Sequence, residues 1–154
     1  MAKQVDITQL SLQQLNQLSQ QLDQEISFYS NSLNTLKMAQ QKFSESQECL
    51  GKLDAKSKDK EILVPLTSSM YVPGTLSDID NVLIDVGTGY YVEKEVEGAK
   101  AYFKRKVDFL TGEIEKLKEP LQNKYQMKQS VTEVLQMKVQ AQMMAQQQTA
   151  GKSS

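Results

Sequence analysis

The chain has 154 residues, a formal net charge of −1, 39% hydrophobic residues, no histidine, no tryptophan and one cysteine. That length suits one domain or one elongated module, and the near-neutral charge favours neither nucleic acid nor an anionic membrane surface. Without histidine and with a single thiol, a histidine-based triad and a conventional zinc site are excluded as expectations.

Cys49 cannot form a disulfide within the chain and suits a reducing compartment. No apolar run approaches bilayer-crossing length, and the N-terminus lacks the basic start and apolar stretch of a signal peptide. The expectation is a soluble cytoplasmic protein, with a nuclear role left open.

The first helix is expected over about 11–57. Ser11 followed by Gln14 has the pattern of a capping box, and Leu10 with Leu15 stand at the positions of a hydrophobic staple. Apolar residues then step three and four apart through Leu15, Leu18, Leu22, Ile26, Tyr29, Leu33 and Leu36. The seam continues through Gln40, Phe43, Gln47 and Leu50, where two glutamines weaken it but help set its register.

Beyond the first helix the period changes from helical to two. "VLIDVGTGYYVEK" raises the question of a phosphate-binding glycine loop. A dinucleotide fingerprint needs a third glycine and a helix opening at the loop, but position 92 is valine and the residues after Gly89 alternate as a strand. No complete Gly-x-x-x-x-Gly-Lys-Ser/Thr loop occurs: before Gly151-Lys152-Ser153, position 146 is glutamine. Gly87-Thr88-Gly89 therefore reads as a three-residue turn with Val86 facing Tyr90, so that Val82, Ile84, Val86, Tyr90 and Val92 share a face.

The same pattern stands twenty residues earlier. With Thr67-Ser68-Ser69 as the turn, Ile62, Val64, Leu66, Met70 and Val72 share a face. Two hairpins are expected, at about 62–74 and 82–94. Pro65 and Pro73 fall at positions that make no hydrogen bond within the hairpin, where a missing N–H breaks nothing inside it.

The second helix is expected over about 97–146, with a tail at 147–154. Its stripe runs Phe103, Val107, Leu110, Ile114, Leu117 and Leu121, then Val131, Leu135, Val139 and Met143. Gly112 and Pro120 interrupt the pattern, and a bend is expected just before Pro120. Two helices of about fifty residues each, with narrow seams, predict a long antiparallel coiled-coil hairpin. The fold class is α+β, a single module over 1–154 with two β-hairpins between the helices.

Isolated hairpins are marginal in water and their open edges invite pairing. The ten face residues named above are therefore expected to complete a sheet or barrel with hairpins from other chains. Leu10, Leu12, Leu15 and Leu18 at one helix end and Val139, Met143 and Met144 at the other either hold an unfolded chain, methionine being suited to varied partners, or pack on one another as a weakly coiled end; the residues alone favour neither. Lys104, Arg105 and Lys106 are expected to form a solvated face, and Asp78, Asp80 and Asp85 lack calcium-loop spacing. No catalytic residue, cofactor or metal is expected.

At "ILVPLTSSMYVPG" and "VLIDVGTGYYVEK", with "LDQE", "YFKRKVDFL" and "MKQ" in the helices, the sequence resembles an α-type prefoldin subunit over nearly its whole length. The resemblance implies a hexamer with one other α-type and four β-type subunits, whose hairpins form a double β-barrel base from which coiled coils project. It implies that the coil tips hold non-native polypeptides, notably actin and tubulin, without ATP, and pass them to the cytosolic group II chaperonin. The competing expectation is a coiled-coil scaffold or regulatory subunit that binds one particular folded partner.

Overall fold

In the computed structural model, residues 6–151 are described. In chain order, α1 spans Leu12–Gly51, β1 Glu61–Pro65, β2 Tyr71–Thr75, β3 Asn81–Gly87, β4 Tyr90–Glu95 and α2 Val96–Ala150. Short 3-10 turns at Ile7–Gln9 and Ala55–Ser57 precede α1 and β1.

The start of α1 follows from its capping chemistry. The Gln14 backbone N–H donates to the Ser11 hydroxyl at 3.2 Å, and the Ser11 N–H donates to the Gln14 side-chain oxygen at 2.9 Å. Two of the orphan donors of the first turn are thus satisfied reciprocally. The helix ends earlier than the expected 57. At Gly51 the last bonds tighten to three-residue spacing, Lys52 to Cys49 and Leu53 to Leu50. Asp54 then opens a separate 3-10 turn by accepting from the Lys56 and Ser57 amides. An aspartate that competes for backbone donors in this way stops helix propagation.

The second helix begins within a residue of expectation but runs past its expected end. It begins straight out of β4, the Val96 N–H donating to the Asp80 carbonyl at 2.9 Å, and it continues to Ala150 instead of ending near 146. Pro120 lies inside it without ending it. The two helices are 40 and 55 residues long rather than matched.

The chain divides into two compact units, residues 1–35 with 114–154, and residues 36–113. In the first, α1 and α2 run antiparallel. Leu15, Leu22, Val131 and Val134 are buried together, with Ile7, Leu10, Leu18 and Leu135 packed against them. Leu10, standing before the Ser11 cap, and Leu15 join one cluster, as a hydrophobic staple should. Between Leu121 and Val131, lysines occupy the inward positions of α2. Lys124 pairs with Glu25 at 2.5 Å, and Lys128 pairs with Asp23.

In the second unit the seam glutamine Gln40 donates to the Thr111 hydroxyl at 2.6 Å, and the Phe43 and Phe103 rings lie 6.0 Å apart. At the ends of the helices Leu50, Ile84, Val96 and Ala99 are buried, with Leu53, Val82, Tyr102 and Phe103 against them. This cluster seats the β3–β4 hairpin on the helices. The β1–β2 hairpin contributes no buried residue.

Candidate functional site

The register of β1–β2 follows the expected one: Ile62 opposite Gly74, Val64 opposite Val72, and Pro65 opposite Tyr71. The Leu66 N–H donates to the Met70 carbonyl at 2.8 Å, which marks the hydrogen-bonded pairs and leaves both prolines at non-bonded ones. In β3–β4 the pairing of Ile84 with Val92 and Val82 with Lys94 is also as expected. The turn is not. Gly87 pairs with Tyr90, so the turn has two residues, Thr88 and Gly89, and a bulge at Val86 absorbs the extra one.

The cause lies in the backbone. Gly87, Thr88 and Gly89 all hold positive φ, at 103°, 53° and 81°. Two central residues with positive φ match the twist of the flanking strands better than a wider loop. The Asp85 carboxylate accepts from the Gly87 N–H at 2.9 Å and holds the bulge. Upstream, the Asp78 carboxylate accepts from the Asp80 and Asn81 amides and so turns the chain into β3. These backbone bonds, chiefly that from Asn81, hold its carboxyl below the usual aspartate value.

The ten predicted assembly residues separate into two groups. Ile84 is 3% exposed and Val82 half-buried, both against this chain's own helices. The other eight, Ile62, Val64, Leu66, Met70, Val72, Val86, Tyr90 and Val92, are exposed. Sequence reasoning missed the opposite face. Leu63 and Leu83 are 68% and 70% exposed, and Tyr71 and Tyr91 lie open beside them. Leu63 and Tyr71 recur twenty residues on as Leu83 and Tyr91, a second repeat that the duplicated motif already contained. Each hairpin thus presents large apolar side chains on both faces. The two hairpins do not pair with one another, so every strand has one unbonded edge.

The residues predicted to hold an unfolded chain also separate. Leu15 is fully buried, and Leu10 and Leu18 pack on the same cluster, so these three build the core of their unit. Leu12 is half-buried. Lys138 reaches the Leu10 carbonyl, and beyond it α2 is exposed at every residue from Val139 to Ala150. Val139 therefore lies outside the seam in which it was expected. Met143 and Met144 are 61% and 65% exposed, and Met137 adds a third open methionine that the seam pattern had passed over. No ionisable residue lies between Val139 and Gly151.

Among the described residues, no three His, Cys, Asp or Glu side chains are placed to hold a metal, and no helix is long and apolar enough to cross a membrane. What the site offers is unsealed sheet and an apolar helix end.

A family model for prefoldin, described as prefoldin subunit, matches residues 9–141. The chain belongs to the prefoldin family. It is 55% identical over 140 residues to human prefoldin subunit 5, a match covering 91% of each chain, and equally similar to the mouse protein. Probable prefoldin subunit 5 of Drosophila melanogaster is 46% identical over 134 residues, covering 87% of this chain and 80% of the relative. The cryo-EM structure of filamentous PFD from Methanocaldococcus jannaschii is similar with a TM-score of 0.65 at 20% identity, covering 75% of this chain and 96% of that one. That likeness shows the prefoldin fold: two long helices with antiparallel β-hairpins between them.

Proposed function

We propose that this chain, a subunit of the prefoldin co-chaperone complex, works as an ATP-independent holder of non-native polypeptides and not as an enzyme. Its hairpins join one other α-type and four β-type subunits. The uncharged end of α2 holds unfolded chains such as actin and tubulin before they pass to the cytosolic group II chaperonin, with the cytoplasm as the site of action.

The observation that carries this reading is the double exposure of the hairpins, apolar on both faces and unbonded along one edge of every strand. Such sheet is stable only when neighbours complete it. The holding role rests on Val139, Met143 and Met144, which are exposed on a helix end without charges, and on Met137, exposed just before Lys138. Flexible, polarizable side chains repack around different partners, and several weak sites in one assembly combine through avidity.

The test is Met143→Gln with Met144→Gln in the complex reconstituted with its sister subunits. Both side chains are exposed, so assembly and melting temperature should stay unchanged while suppression of aggregation by a denatured client weakens severalfold. Full suppression by the assembled variant would remove this helix end from the mechanism.

A further inference from the structure

Methionine is among the residue types most often buried in a core, and in this chain it is not. Every described methionine is exposed, from Met127 at 46% to Met144 at 65%. Among the described residues, the buried ones are leucine, isoleucine, valine and alanine alone. Chemistry at a methionine sulfur therefore leaves the packed clusters of this fold untouched and acts on its surfaces.

The free end of α2 concentrates that chemistry. Met137, Met143 and Met144 are 60%, 61% and 65% exposed, and every residue from Val139 to Ala150 is open to solvent. Met144 follows Met137 by two turns on one face of the helix, and Met143 follows Val139 by one turn on a second face. Methionine thus stands on both apolar faces of this end. Val139 is the one large apolar side chain here without a sulfur. No ionisable residue lies between Val139 and Gly151, so apolar contact is what this end offers a partner.

Leucine at the same positions would supply similar apolar area. What methionine adds is a thioether that oxidises to the sulfoxide, a polar group that disrupts methionine-rich interfaces. We propose that Met137, Met143 and Met144 form an oxidation site at which a hydroperoxide weakens the hold on non-native chains while fold and assembly stay intact. The thioether sulfur attacks one peroxide oxygen, an S–O bond forms as the O–O bond breaks, and sulfur gives up two electrons. With hydrogen peroxide, the second oxygen takes the proton of the first and leaves as water. A methionine sulfoxide reductase returns the thioether. This inference rests on the holding role proposed for this helix end and adds how that role is controlled.

The test exposes the assembled complex to dilute hydrogen peroxide, removes the peroxide and follows suppression of aggregation by a denatured client. Peptide mass spectrometry should find one added oxygen on each of the three methionines. The native mass of the complex should be unchanged, and suppression should fall severalfold. A complex whose subunit carries Met137→Leu, Met143→Leu and Met144→Leu holds the same sister subunits, so their methionines count equally. Measured against its own untreated level, it should lose suppression by a clearly smaller factor. Methionine sulfoxide reductase with a thiol reductant should restore the parent complex, and the thiol alone should not.

Equal factors of loss in the two complexes, or dissociation of the treated parent, would overturn the oxidation site. Recovery with the thiol alone would overturn it too, by placing the effect at a cysteine such as the exposed Cys49. If Met143→Gln with Met144→Gln weakens suppression and peroxide does not, the oxidation site falls and the holding role stands. Full suppression by that glutamine variant would take both away.

Discussion

Thr88 is a β-branched residue held at φ 53° between two glycines that also have positive φ. The left-handed region costs an L-residue roughly 1–2 kcal/mol, and asparagine tolerates it far better than threonine. Thr88→Asn would create the Asn-Gly pair that two-residue hairpin turns favour. We expect it to stabilise the β3–β4 hairpin by about 1 kcal/mol, read as slower amide exchange at Ile84 and Val92, which form a hydrogen-bonded pair. A faster exchange would mean that the threonine makes a compensating contact. The sequence displayed the turn and its glycines plainly. It did not display the bulge, because a three-residue loop and a two-residue loop with a bulge leave Ile84 opposite Val92 alike. Only the backbone angles separate them.

At the scale of the helices, the seven-residue repeat was legible wherever leucine filled it. Leu15, Leu22, Leu110 and Ile114 are buried as their spacing required. It was illegible where lysine filled inward positions. Lys124 and Lys128 read as surface residues until Glu25 and Asp23 are seen opposite them. The far end of α2 misled for a related reason: Val139 keeps the apolar period, but the helix has passed the Leu10 carbonyl and the seam has ended. Periodicity shows that a stripe exists and not how far its partner reaches.

The polar layer makes the first unit acid-sensitive. The Glu25 carboxyl is held below its ordinary 4.5, first by its bond from Lys124 and then by that from Gln21, against a smaller desolvation effect. A group depressed on folding contributes stability that is fully present above its unfolded value and is lost as pH falls through the folded one. The melting temperature should therefore hold down to about pH 4.5 and fall below it. Glu25→Gln should shrink that fall without abolishing it, since Asp6 is also depressed by its bonds from Thr8. A variant that loses as much stability in acid as the parent would contradict the assignment.

For the molecule as a whole, the order helix, two hairpins, helix was readable from the change of period and from the repeat at twenty residues. The β-segment could be recognised as incomplete for the same reason, since four short strands cannot bury both of their faces. What could not be read was the division of labour between the hairpins. Val64 and Ile84 stand at matching places in the twenty-residue repeat, yet Ile84 is seated on the helix ends and Val64 is open. That difference depends on β4 running directly into α2, a connection whose position the pattern left uncertain by a residue. The half-buried Val82 and the buried Ile84 anchor one ribbon, and the other ribbon is held by its own strand pairing and by the bonds near Lys60 and Leu76. Completion by sister subunits therefore matters most for β1–β2.

The most direct test is the native mass of the full chain purified alone and after co-expression with the sister subunits. The account predicts a heterogeneous, self-associating species alone and a single mixed hexamer in company. A monodisperse 17.4 kDa monomer that remains one in the presence of those subunits would contradict it.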